Sequence, residues 1–116
     1  MKNLPIILIL LLSISAHASD KSGNYAILGA GTSSCGSFVE ARKNATATMY
    51  RTWLTGYFTA LNLMSPDTYN LLGSTDIDGA ILWVENYCRA NPIKNFENAA
   101  QALWVELLPS RQKRAN

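Results

Sequence analysis

Residues 85–96 read ENYCRANPIKNF, and this stretch decides the fold. It sets Cys88, the basic Arg89 and the pair Asn91-Pro92 within one turn of chain. Upstream, Ile77, Ile81, Val84 and Cys88 recur at helical spacing, with Ala80 and Tyr87 beside them. Arg89 suits the negative end of that helix. Asn91-Pro92 ends it, because the residue before proline is pushed out of the α region. Asn91 is then expected to cap a following helix with Pro92 at its first position. Ile93, Phe96, Ala100, Leu103, Trp104 and Leu107 supply that helix with an apolar stripe, and Pro109 stops it. Cys88 thus falls on the inner face of a last helical turn, beside a sharp helix-helix corner.

The start of the 116-residue chain shows where such a cysteine would be exported. Lys2 is followed by an apolar run from Leu4 to Ile14 and then by Ala16-His17-Ala18. These are the three parts of a secretory signal peptide, so residues 1–18 are expected to be cleaved off after Ala18. The run is shorter than the roughly 20 apolar residues of a membrane-spanning helix. No cysteine follows it to carry a lipid. What remains is one small domain, placed in the periplasm.

Both cysteines, Cys35 and Cys88, lie in the exported part, and an even count in a small exported chain reads as a disulfide. Closing a loop of about 54 residues removes roughly 4 kcal/mol of unfolded-state entropy. A metal site or a reactive thiol competes poorly. The only histidine, His17, leaves with the signal peptide, and no third cysteine exists.

Outward from the cysteines, Ser33 or Ser34 can cap a first helix that aligns Cys35, Phe38, Val39 and Arg42. A second, from about Ala45 to Asn62, aligns Tyr50, Trp53, Leu54, Tyr57, Phe58 and Leu61. Gly56 inside it costs roughly 1 kcal/mol relative to alanine, so a close neighbour is expected there. Residues 62–74 form a long connection holding Pro66 and Gly73, with one short turn near Thr68 to Leu72. The third helix begins after Thr75, where Thr75 and Asp78 resemble a capping box. The expectation is an all-α, small four-helix bundle over residues 33–109, stapled once. Residues 19–32 read as a mobile or loosely packed arm, and residues 110–116, with Arg111, Lys113 and Arg114, as a solvated basic tail.

Composition and missing groups exclude much. Ten Lys and Arg stand against eight Asp and Glu, and Lys2 goes with the signal peptide. A nearly neutral chain lacks the basic stripe of a nucleic-acid binder. Without histidine there is no Ser-His-Asp or Cys-His apparatus, and no phosphate or dinucleotide glycine pattern occurs. Asp76, Asp78, Glu85, Glu97 and Glu106 read as helix-end and polar-face residues, so the chain is expected not to be an enzyme. Ser74 to Glu85 partly matches a calcium loop, with Asp76, Asp78, Gly79 and Glu85 at suitable spacing. Ser74 replaces its first aspartate, and a helix cap explains the same residues, so neither metal nor cofactor is expected.

The aromatic residues supply contact candidates. Trp83 lies off the Ile77-Ile81-Val84-Cys88 line and is expected to be partly exposed. With Trp53 and Tyr57 it forms the candidate protein-binding set.

Two resemblances sharpen the expectation. Ser34-Cys35-x-x-Phe38-Val39, with Val84-Glu85-x-Tyr87-Cys88-Arg89-x-Asn91-Pro92-x-Lys94-Asn95, resembles the HdeA/HdeB family of periplasmic acid-stress chaperones. It implies one disulfide across a small helical fold and a client-binding, chaperone-like role. Trp53-Leu54-x-Gly56-Tyr57 before the Asn91-Pro92 corner is similar to Tai-type periplasmic immunity proteins, which neutralise type VI secreted amidases. Both imply another protein as partner, client or effector, with a homodimer compatible. Neither implies nucleic acid or a membrane after signal cleavage. An acid chaperone must open as its carboxylates protonate, and eight carboxylates are a modest supply.

Overall fold

A disulfide joins Cys35 to Cys88, with 4.7 Å between their α-carbons, in a computed structural model that describes residues 19–116. The signal peptide expected at residues 1–18 lies outside the described residues. Four helices follow in order: α1 (Cys35–Lys43), α2 (Thr48–Met64), α3 (Ile77–Ala90) and α4 (Phe96–Leu107). No strand occurs among the described residues, so the domain is all-α with one staple.

Backbone pairing explains why the two cysteines meet. Cys35 and Gly36 at the start of α1 donate their N–H groups to the carbonyls of Lys94 and Pro92, at 2.7 and 3.1 Å. Phe96 N–H donates to Ser33 C=O at 2.8 Å. Free N–H groups at a helix start therefore find their acceptors in the corner after α3. This pairing also corrects the expected start of α4. Residues 91–94 close a turn, with Lys94 N–H donating to Asn91 C=O at 3.1 Å, and its carbonyls face α1, so Pro92 opens no helix. Asn95 is the cap instead, exchanging reciprocal hydrogen bonds with Asn98, while Asn91 closes α3 by donating to Tyr87 C=O. Ile93, expected in the core, is left almost wholly exposed.

The remaining ends follow ordinary capping. Ser34 accepts from Ser37 N–H at the start of α1. Asp76 accepts from Gly79 N–H at the start of α3, one residue later than the expected Thr75. α2 starts three residues later than expected, because Ala45 takes a left-handed φ of 54° and Thr46 N–H returns to Ala41 C=O to close α1.

The core is built where the periods meet. Phe38, Tyr50 and Phe96 pack ring to ring at 4.8–5.1 Å. Around them Leu54, Phe58, Ile81, Val84, Ala99, Ala100 and Leu103 are buried. α1 lies on α3 and α3 on α4, while a 3-10 turn at Gly29–Thr32 packs on α2 and α4.

That turn packs the last four residues of the expected arm, 29–32, onto the helices. Ala30 and Gly31 are buried against α2, and a Cβ on Gly31 would lie 2.3 Å from Trp53 Cζ2. The start of the tail, Arg111 and Gln112, is docked as well, while residues 113–116 are exposed. Asn70 and Gln112 exchange backbone hydrogen bonds, and Arg111 donates to Thr68 Oγ1 and Leu108 C=O. Gly73, at φ +59°, lets the chain pass close, since a Cβ there would meet Ser110 C=O at 2.8 Å. Neither contact is visible in a hydrophobic period, because one rests on a glycine under an indole and the other on backbone and polar hydrogen bonds.

Gly56 differs from its expectation too. It faces open space, with nothing within 4 Å of an added Cβ. Gly56→Ala should therefore raise stability by about 0.5–1 kcal/mol. Gly31→Ala must displace the Trp53 indole and should cost about 1–3 kcal/mol. Urea unfolding of the two variants should move the midpoint in opposite directions.

Candidate functional site

The three aromatic residues picked out from sequence occupy two different environments. Trp53 and Tyr57, one turn apart on α2, stack with ring centres 5.1 Å apart. Both are half-buried beneath the N-terminal segment. The Trp53 indole N–H donates to Leu28 C=O at 2.7 Å, and Gly29, at φ +66°, brings the backbone against the ring. The Tyr57 hydroxyl donates to Glu97 Oε1 at 3.3 Å. Burial, then the nearby Glu97 carboxylate, pushes that hydroxyl's pKa well above its ordinary value, so it stays a donor. These two rings are tied inward.

Trp83 is placed differently. It stacks on Tyr87 with centres 5.8 Å apart and planes within 15°. Both rings are half-buried on α3, and the adjacent Leu82 is exposed. Tyr87 also borders an open groove of about 280 Å³, walled by Lys94, Asn98, Gln101, Trp104 and Val105. Val105 is exposed as well. The face between α3 and α4 therefore offers rings, an aliphatic edge, two amides and one cation. That mixture suits contact with another protein.

Two glutamates read as surface residues are buried. Glu85 receives Arg42 Nε at 2.7 Å and Arg89 Nη2 at 2.5 Å, tying α1 to α3. Hydrogen bonds from Arg42 and Arg89 hold its carboxyl below the usual carboxylate range. Glu97 is only 3% exposed and receives the hydroxyls of Tyr25 and Tyr57. Helical register carried a signal for both. Glu85 falls four residues after Ile81 and three before Cys88, and Glu97 three before Ala100, all on buried faces.

The carboxylates of the partial calcium loop have separate tasks. Asp76 caps α3, Asp78 pairs with Arg51, and Glu85 pairs with Arg42 and Arg89. Among the described residues, no three His, Cys, Asp or Glu side chains gather as metal ligands. A second groove, of about 170 Å³, opens beside Arg42, Arg51 and Ile81, but both arginines already hold carboxylates. No helix among the described residues is long and apolar enough to cross a membrane. The chain matches no protein family, no curated protein and no solved structure.

Proposed function

We propose that this is a non-catalytic protein, exported to the periplasm, that binds one specific protein partner through its α3–α4 face. The observation that supports this reading is the Trp83–Tyr87 stack beside the groove under Trp104. The stack stands on α3, which the disulfide ties to α1 and which packs on α4, so little ordering entropy is lost on binding. Binding energy concentrates in such aromatic anchors. The resemblance to Tai-type proteins suggests a secreted hydrolase as partner. Cleavage after Ala18 and a disulfide-permitting compartment belong to the same proposal.

A second reading, the HdeA/HdeB-like acid chaperone, draws on Glu85. Its folded pKa lies below the unfolded one, so pairing with Arg42 and Arg89 stabilises the fold above the usual carboxylate range. That contribution disappears as pH falls through the lowered value, and the Arg42 end of α1, away from the disulfide, then loosens from α3. One such cluster, half open to solvent at its arginines, is a small acid-sensitive share of the fold.

Tryptophan fluorescence, apolar-dye binding and a client-aggregation assay from pH 7 to 2 separate the readings. The specific-partner reading expects loosening confined to the acid end, little dye uptake and no client protection. Cooperative opening with strong protection would replace it with the chaperone. Glu85→Gln should remove much of the acid-dependent change, because its side chain no longer titrates.

A further inference from the structure

Glu97 is a buried carboxylate in search of a cation. It lies in the first turn of α4, where the helix dipole favours negative charge. No lysine or arginine reaches it among the described residues, whereas Glu40, Asp67, Asp78 and Glu85 each hold one. Its three hydroxyl contacts are all 3.3 Å long. Hydroxyl bonds to a carboxylate ordinarily close to about 2.5–2.7 Å, so these are loose. A carboxylate has about four acceptor sites, and burying one without a cation is costly.

The position of Tyr25 shows what would fit. Its hydroxyl stands 3.3 Å from both Oε1 and Oε2, in front of the fork of the carboxylate. A guanidinium makes its paired N–H bonds to a carboxylate from that same position. The Trp53–Tyr57 stack lies alongside, and aromatic faces attract a planar cation. Tyr25 is also easy to move. It is 54% exposed, and among the described residues its side chain hydrogen-bonds to Glu97 alone.

We infer that Glu97 is the acceptor for a guanidinium group of a binding partner, and that Tyr25 holds its place in the free protein. The site lies across α2, α4 and the N-terminal segment, and does not draw on the Trp83–Tyr87 face. On binding, the phenol of Tyr25 swings out to solvent, and the guanidinium bridges both carboxylate oxygens beside the Trp53–Tyr57 stack. An ammonium group lacks the fork and would fit less well.

The test titrates the exported full chain with N-acetyl-arginine amide, following the Trp53 indole N–H by NMR. N-acetyl-lysine amide is the control, and free arginine distinguishes a peptide-borne guanidinium from a small-molecule one. A saturable shift with the arginine amide is expected, with the lysine amide at least about tenfold weaker. Glu97→Gln should abolish the shift while leaving the helical circular dichroism intact. Tyr25→Phe removes only the competing hydroxyl and should tighten binding about three- to tenfold. Equal response to both amides, unchanged binding in Glu97→Gln, or no gain in Tyr25→Phe would overturn the inference. A fault in the Trp83–Tyr87 face would alter none of these readings.

Discussion

Cys88→Ser should lower the stability of the domain by about 4 kcal/mol, the entropy recovered by an unfolded chain freed of a loop of about 54 residues. For a domain of this length, that is a fall in melting temperature of about 15–30 °C. The folded side of the equilibrium changes less. Cys35 and Cys88 are both fully buried, and the backbone bonds from Cys35, Gly36 and Phe96 hold the corner whether or not the sulfurs are joined. The variant should therefore keep its helical circular dichroism at low temperature and lose cooperativity early on heating. Thiol titration of the native, unreduced protein should find no free thiol. A melting temperature within 5 °C of the parent, a loss below about 1 kcal/mol, would mean that the staple contributes little.

Phe96→Ala should cost about 3–5 kcal/mol, the range for removing a large buried aromatic. Its ring is fully buried and lies 4.8 Å from Phe38, 5.0 Å from Tyr50 and 5.6 Å from Trp53. α1, α2 and α4 meet through this one side chain. The cavity cannot close easily, because the backbone of residue 96 is pinned to Ser33 C=O. A small domain has a net stability near this size, so the variant should be partly unfolded at 37 °C. Urea midpoints measure the loss at lower temperature. The effects of Phe96→Ala and Cys88→Ser should not add, since Cys35 and Phe96 share the α1–corner junction. A loss under about 1.5 kcal/mol would show a core able to repack.

What sequence showed and what it hid divide along physical lines. The periods Tyr50-Leu54-Phe58 and Ile81-Val84-Cys88 place their residues inside, and with the cysteine count they predict four helices and the staple. Burial repeated at helical spacing leaves a mark in the residue types. Backbone pairing leaves none. The turn after Asn91 and its pairing with α1, the closure of the turn at Gly29–Thr32 and the docking of Gln112 on Asn70 all depend on N–H and C=O groups that almost every residue carries. For that reason Asn91-Pro92 pointed to a helix start that Asn95 supplies instead. The candidate site divides similarly. Trp83 lies half-buried, as its departure from the buried line suggests, whereas the partners of Trp53 and Tyr57 come from residues 25–31 and Glu97. Glu85 and Glu97 stood on buried faces, yet their pairing needed Arg42 and Tyr25 from distant segments.

The most direct measurement of the binding proposal places a photo-crosslinking residue at Trp83, and separately at Val105, in the protein expressed in its own host. Met64, exposed at the far end of α2, serves as control. Binding through the α3–α4 face predicts one discrete protein adduct from positions 83 and 105, none from position 64, and loss of the position-105 adduct when Trp83 is changed to alanine. Diffuse adducts of equal strength from all three positions, or none from the α3–α4 face, would contradict it.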